Sequence, residues 1–169
     1  IVASGPVTQV LAVNGRIAAR TSVRVRAAVS SQAQAVLAAE GEAVTAGQVI
    51  LTMDTSIIDA QVEQAHAALE AQQALQRQAV ATLERVRALG SNSPRAALED
   101  AELTLASVQQ ETARLEAALR QVQRQQEEFT VRAPIDGVVL SRGVDPGQIV
   151  DLQTELLVIA DTTDLVVET

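Results

Sequence analysis

The chain has 169 residues and a formal net charge of −8, and all 13 of its basic residues are arginine. Only 1% of the residues are aromatic, so this acidic chain lacks both the positive charge and the stacking side chains that nucleic-acid binding requires. It has no cysteine, which excludes disulfides and thiolate metal sites.

The first part of the chain predicts a β unit over residues 20–54. Val23 and Val25 alternate with Arg24 and Arg26, a pattern that is typical of a half-buried strand. Glycine at position 41 predicts a tight turn, and the apolar run at 50–53 predicts a closing strand. We expect about four short strands and only half of a hydrophobic core.

Residues 55–129 have the composition of two long helices. Ala, Gln, Glu, Arg and Leu dominate from about 54 to 89 and again from about 94 to 128. Between them lies GSNSP, in which Gly90 suits a helix C-terminal cap, Ser93 an N-cap and Pro94 the first helical position. Each helix would be about 50 Å long at 1.5 Å per residue.

Apolar residues recur in both helices at alternating spacings of three and four, which predicts an antiparallel coiled coil with a left-handed twist. The predicted seam consists of Ile58, Val62, Ala65, Leu69, Gln72, Gln76, Ala79, Leu83 and Val86 in the first helix, and of Leu98, Ala101, Leu105, Val108, Thr112, Leu115, Leu119, Val122 and Gln126 in the second. Leu83 should pair with Ala101, and Gln72 should meet Thr112 in a polar layer. A less regular helical hairpin remains an alternative. Either hairpin is too thin to form a compact body and should project.

Residues 130–163 repeat the first β unit. A shift of 106 positions places Val25, Arg26 and Ala27 on Val131, Arg132 and Ala133, and it places Gly41 on Gly147. Each copy is too small to bury its apolar face alone. We therefore expect the two copies to pack about a pseudo-twofold axis into one flattened sandwich, from which the hairpin leaves.

The second copy reads V-R-A-P-x-x-G-x-V and the first begins with the same V-R-A, and each is followed by a G-x-x-V turn. The two copies resemble the half-motifs of biotinyl/lipoyl-type domains. A hairpin inserted between them is similar to the arrangement of the HlyD-like periplasmic adaptor proteins, also called membrane fusion proteins. Ser31 departs from this pattern where the glycine matching Gly137 is expected, and Ala28 replaces the proline matching Pro134. The resemblance implies an α+β fold: a biotinyl/lipoyl-like β-sandwich (barrel-sandwich hybrid) split by a long antiparallel α-helical coiled-coil hairpin.

The resemblance also implies a function. Such adaptors link an inner-membrane transporter, of RND or ABC type, to an outer-membrane channel for efflux or type I secretion, and act as an oligomeric ring of hairpins, with six copies expected. The chain would lie in the periplasm, anchored to the inner membrane by a segment outside these residues. Residues 1–19 and 164–169 would be edges of an adjoining β-barrel or membrane-proximal domain.

The family's docking motif lies at the hairpin tip, and the residues of this chain that match it are Arg85, Leu89, Ser93, Leu98 and Asp100. The match has irregular spacing, since Leu89 and Ser93 are closer than the motif requires. Local roles also explain these residues: Ser93 as a cap, Leu98 as a seam residue and Arg85 as a solvated side chain.

We find no candidate for catalysis, for a metal or for a cofactor. His66 is the only histidine, and no second histidine or cysteine lies three or four residues from it. Asp54 and Asp161 suit turns or caps, and lipoate or biotin attachment requires a lysine that the chain lacks. Two other functions stay open: a coiled-coil scaffold for another helical partner, and a carrier-like lipoyl domain of a multienzyme complex.

Overall fold

The computed structural model describes residues 16–19, 21–90, 94–161 and 165–168, with only the backbone described for the first and last of these ranges. Strands and helices follow in the order that the sequence predicts. They are β1 (Arg16–Ala19), β2 (Ser22–Arg26), β3 (Ser31–Val36), β4 (Ala43–Val44), β5 (Val49–Met53), α1 (Ser56–Ala88), α2 (Arg95–Glu127), β6 (Thr130–Arg132), β7 (Gly137–Arg142), β8 (Ile149–Val150), β9 (Glu155–Ala160) and β10 (Leu165–Glu168).

The two β units are interleaved and do not form one sheet each. One four-stranded sheet has the order β2-β9-β7-β4, and the other has the order β6-β5-β3-β8. In the repeat, β2 corresponds to β6, β3 to β7, β4 to β8 and β5 to β9. Exchanging each strand of the first sheet for the corresponding strand gives the strand order of the second sheet. Each sheet therefore takes two strands from each half of the chain, and neither half can fold without the other.

The pseudo-twofold relation extends to individual residue pairs. Val25 pairs with Leu157 in one sheet, and the equivalent Val131 pairs with Leu51 in the other. Register shifts occur at equivalent places in β3 and β7, between residues 33 and 35 and between residues 139 and 141. The predicted repeat is confirmed at this level of detail.

An aliphatic core fills the space between the two sheets. Its largest fully buried side chains come from β5, β9, β7 and β8: Ile50, Leu51, Met53, Leu156, Leu157, Ile159, Val139 and Val150. Phe129, the only aromatic residue, packs against this cluster from the end of the hairpin. No residue of α1 or α2 belongs to the cluster, so the helices leave the β body and project from it, as expected.

Ser31 and Gly137 occupy equivalent positions and solve one packing problem in two ways. A Cβ atom on Gly137 would lie 2.2 Å from the carbonyl oxygen of Ala160. In the first half, the equivalent carbonyl belongs to Asp54, and the Ser31 hydroxyl donates a hydrogen bond to it at 3.0 Å. The first half therefore replaces a close backbone approach with a side-chain hydrogen bond, which explains how it tolerates the departure from the glycine pattern.

The helices contact each other along the predicted seam. The buried residues of α1 are Ile58, Leu69, Ala79 and Leu83, and those of α2 are Ala101, Thr112 and Leu119. All seven are predicted seam positions, and the remaining seam residues are half-buried. The 3-4 spacing therefore predicts the contact surface of both helices correctly.

The predicted polar layer forms around a backbone carbonyl. Gln72 Nε2 donates to the carbonyl oxygen of Val108 at 3.4 Å, and Thr112 Oγ1 donates to the same oxygen at 2.9 Å. Near the root, Gln126 Nε2 donates to Asp59 Oδ1 at 2.6 Å. These cross-helix contacts support the antiparallel register, and a buried polar layer of this kind restricts slippage.

The helix ends differ in part from the prediction. Asp54 accepts hydrogen bonds from the hydroxyl and the backbone N–H of Ser56, and these bonds lower the pKa of the Asp54 carboxyl, so Asp54 holds the start of α1 as expected. Gly90 has φ +54 and follows the last turn of α1. Pro94, however, is the N-cap of α2 and not its first helical residue, because its ψ of 136 is extended. Ser93 lies outside the described residues.

The two ends of the described chain run side by side. β1 and β10 form an antiparallel pair, separate from both sheets, with Ile17 opposite Val167. Among the described residues, no helix is both long and apolar enough to cross a membrane.

We predict that Gly137→Ala destabilises the β body, because its Cβ would contact backbone atoms that cannot move aside. Overpacking of this kind costs about 1–3 kcal/mol. The matched control is Ser31→Ala, which keeps a Cβ at the equivalent position and loses one exposed hydrogen bond, at a cost below about 1 kcal/mol. Differential scanning calorimetry should show the larger fall in Tm for Gly137→Ala, and equal shifts would contradict this account.

We predict that Gln72→Leu stabilises the hairpin by about 1 kcal/mol, because it adds apolar surface at a seam position. Gln64→Leu, on the exposed surface of the same helix, is the control and should have little effect. Urea unfolding followed by circular dichroism at 222 nm measures both. Destabilisation by Gln72→Leu would show that the hydrogen bond to Val108 outweighs apolar packing.

Candidate functional site

The hairpin tip, defined as residues 85–100, is the candidate site. It lies at the end of the helices that is farthest from the β body, so its exposed groups can contact a partner before any other part of the chain does. The structure describes it up to Gly90 and again from Pro94.

Arg85 is exposed, but hydrogen bonds hold its side chain on its own helix. Its Nε donates to the carbonyl oxygen of Ala81 at 3.3 Å, and its guanidinium donates to the Thr82 hydroxyl at 3.0 Å. The cation is therefore presented in a restricted direction, beside α1 and toward solvent. A partner would meet it with less loss of side-chain entropy than a free arginine requires.

Leu89 and Leu98 have different environments. Leu89 is the C-cap of α1 and is 59% exposed. Leu98 is half-buried where the two helices meet, in agreement with its predicted place in the seam. Leu89 is thus the candidate for contact with a partner, whereas Leu98 supports the tip from below.

Asp100 borders a groove that begins just below the tip. The groove has a volume of about 450 Å³ and runs between the helices on one face of the hairpin. Small residues cause it, because Ala79 and Ala101 occupy seam positions and Thr82 and Thr104 flank them. Arg85 of α1 is hydrogen-bonded to Thr82, which lines the groove, and Asp100 of α2 lines the groove as well. The predicted cation and anion therefore lie on the two sides of the groove.

Several residues in or near the tip were not identified from the motif. Arg87 and Glu102 form an ion pair between the helices at 2.9 Å, on the opposite face from the groove. Leu75 and Leu103 are 53% and 71% exposed, although both are large and apolar. The signal available in the sequence was the position of these two leucines outside the 3-4 seam pattern.

The described residues offer no arrangement for metal chemistry. No three His, Cys, Asp or Glu side chains among them come close enough together to hold a metal ion. His66 is exposed and lies beside Glu70 and Arg77 on the face opposite the groove. The side chains of the tip are suited to binding, since those described there combine two leucines, three arginines and two carboxylates on a narrow surface.

Solved structures from other proteins share this fold. MacA from Actinobacillus actinomycetemcomitans matches with a TM-score of 0.72 and 22% identity, over 90% of this chain and 53% of that one. The membrane fusion protein Spr0693 from Streptococcus pneumoniae R6 matches with a TM-score of 0.68 and 17% identity, over 90% and 64%. The periplasmic adaptor protein EmrA matches with a TM-score of 0.63 and 13% identity, over 89% and 75%.

The chain spans little more than half the length of MacA and about two thirds of that of Spr0693. No curated protein sequence is similar enough to this chain to count as a relative. The split sandwich fold, which was inferred from the repeated half-motifs, is confirmed by these structures, one of which is a membrane fusion protein.

A family model gives the assignment at the level of sequence. The model of the CzcB-like, barrel-sandwich hybrid domain matches residues 21–161. This range begins just before β2 and ends just after β9, so it includes both interleaved halves and the whole hairpin. The chain therefore belongs to the CzcB-like barrel-sandwich hybrid domain family.

Proposed function

We propose that this chain is the central part of a non-enzymatic adaptor that bridges an inner-membrane transporter and an outer-membrane channel. One observation carries the proposal: both roots of a helical hairpin about 50 Å long continue from strands of a single interleaved core. Such a base holds the hairpin at a fixed angle to the β body, so that a force on the tip or a displacement of the tip is transmitted to the β body. An adaptor across the periplasm requires this property.

The relatives support the same assignment. Spr0693 is described as a membrane fusion protein and EmrA as a periplasmic adaptor protein, and both share the fold over about nine tenths of this chain. By analogy, we place the chain in the periplasm, with its inner-membrane anchor in a segment outside these residues. The transporter would be of RND or ABC type, serving efflux or type I secretion.

The tip would dock end-on with the outer-membrane channel. Leu89 supplies exposed apolar surface, and Arg85 and Asp100 supply a cation and an anion beside it. Contacts of a few well-placed apolar and charged groups provide most of the free energy of typical interfaces. Ser93 completes the proposed docking set, and Leu98 holds the helices together beneath it.

The hairpins would pack side by side in a ring, with six copies as the family resemblance implies. The net charge of −8 opposes assembly, so contacts between copies must offset this repulsion. Exposed Arg–Glu pairs contribute only about 0–1 kcal/mol each. The ring therefore requires apolar contacts in addition to ion pairs.

The paired ends of the chain would continue into an adjoining domain. β1 and β10 leave the sandwich as one antiparallel pair. We assign residues 1–19 and 164–169 to the edge of a β-barrel or membrane-proximal domain, and residues 20–54, 55–129 and 130–163 to the first half-motif, the hairpin and the second half-motif. Residues 1–15 lie outside the described residues.

A coiled-coil scaffold for a soluble helical partner is the second candidate, because the exposed Leu75 and Leu103 lie far from the β body. A carrier-like domain is disfavoured because the chain contains no lysine for a covalent cofactor.

Crosslinking in cells separates the adaptor from the scaffold. A photoreactive amino acid at Ser91 should capture an outer-membrane channel, because the tip is the end that docks. The control is the same probe at Ala60, which is exposed near the root of α1 and should not capture the channel. Capture of only soluble proteins from Ser91 would support the scaffold and reject the adaptor.

We predict that Leu89→Asp lowers transport at least tenfold, because docking would bury a charged carboxylate without a partner, at a cost of about 1–3 kcal/mol or more. Ala60→Asp is the matched control and should transport normally. Export of a fluorescent substrate from whole cells measures both, and circular dichroism confirms that the helices remain folded. Normal transport by Leu89→Asp would contradict docking through the tip.

A further inference from the structure

The two long faces of the hairpin differ sharply in charge. Leu75 and Gln78 lie on the face of α1 that lines the groove, and the residues that precede them by multiples of seven extend this face toward the root. Between Gln61 and Thr82 the face carries no charged side chain. The charged residues of this part of α1 are Glu63, Glu70 and Arg77. Glu70 and Arg77 line a separate depression that does not share a residue with the groove.

The groove face of α2 is similarly poor in unpaired charge. Glu111 and Arg114 neutralise each other through two hydrogen bonds of 2.8 and 2.5 Å. The other charged residues on the described part of the groove face are Arg85 of α1 and Asp100 of α2, and both lie close to the tip. A second helix could therefore lie in the groove and bury few charges, whereas the opposite face would place the carboxylates of Glu63, Glu70 and Glu84 against the neighbour.

An apolar projection lies at the same height as the groove. Leu103 is 71% exposed and lies between Asp100 and Thr104, which both line the groove. It is on the outer edge of α2, away from the seam, because it falls midway between the seam residues 101 and 105. Its neighbours one turn away are the acidic Glu99 and Asp100 toward the tip and the small Ala106 and Ser107 toward the root, so Leu103 protrudes on the root side.

We propose that Leu103 of one copy inserts into the groove of a second copy of this chain, beside Thr82. This inference rests on the ring of the proposed function and identifies the contact that holds neighbouring hairpins together. Six of the ten residues that line the groove are apolar and Asp100 is the one charged residue among them, and the chain itself carries an exposed leucine at the same height along the hairpin. These features favour a second copy as the occupant over a charged or unrelated partner.

The geometry also accounts for ring closure. The groove and Leu103 are different surfaces, so each contact uses the groove of one copy and Leu103 of the other and is head-to-tail. The first copy still has a free Leu103 and the second a free groove, and each can bind a further copy. Because the groove and Leu103 lie at the same height along the hairpin, neighbouring copies are related by rotation without a shift along the hairpin axis. Such a relation closes into a ring, whereas a shift would generate an open helical filament.

Introduced cysteines test the contact without background, because the chain has none. Two differently tagged copies of the full-length gene product, one with Leu103→Cys and one with Thr82→Cys, are expressed together and oxidised in their native membrane. The control pairs Leu103→Cys with Glu84→Cys, which is also exposed and lies at nearly the same height but off the groove face. We expect at least tenfold more mixed dimer from the first pair.

Equal yields from the two pairs, or no mixed dimer from the first, would overturn the proposed contact, and so would crosslinking of Thr82→Cys only to another protein. A second measurement uses Leu103→Asp, with Leu103→Met as the conservative control, in the purified full-length product. Sedimentation velocity should show at least tenfold weaker self-association for Leu103→Asp and little change for Leu103→Met. Unchanged association of Leu103→Asp would also overturn the contact.

The outcome is separable from that of the proposed function. If the tip captures an outer-membrane channel from Ser91 but the cysteine pair fails, the adaptor function stands and this interface is wrong. If the cysteine pair crosslinks but the tip captures no channel, the interface stands and the adaptor function is wrong.

Discussion

The exchange of strands between the two halves is the constraint on which the rest of the structure depends. Val25 reaches its partner Leu157 only after the chain has passed through both helices and returned, and Leu51 pairs with Val131 across the same excursion. The β body cannot close until the hairpin has folded back. As a result, both helix roots are held by one aliphatic core, and the hairpin cannot rotate freely about a single linker.

The hairpin combines register control with local weakness in packing. Gln72 and Thr112 converge on the Val108 carbonyl at mid-length, where a polar layer resists slippage of one helix along the other. Toward the tip, alanines at seam positions 79 and 101 leave space that larger residues would have filled. The same seam therefore fixes the height of each residue along the rod and opens the groove that a neighbour could occupy.

The proposed function depends on the shape and the surface of the molecule and uses no reacting group. The charged residues lie mainly off the groove face of the hairpin, where they keep it solvated, and the groove face is left nearly neutral. Leu89 at the end and Leu103 on the edge are two of the exposed large apolar residues of the hairpin, together with Ile57 and Leu75. Leu89 is placed for an end-on partner and Leu103 for a lateral neighbour, which are the two kinds of contact that a ring-forming bridge needs.

The sequence by itself determined the local features: the two helices, their seam, the turn at Gly90 and the repeated β units, because each depends on residues within one or two turns or on a period of two. It also indicated the family, since the half-motifs recur without a gap. Only the tertiary structure decided that the halves exchange strands, that Ser31 replaces glycine by bonding the Asp54 carbonyl, that Pro94 caps α2, and that the tip residues border a groove. These features depend on contacts between residues far apart in the chain, such as Val25 and Leu157, which are 132 positions apart. Their geometry arises only when the two sheets pack together and the two helices align.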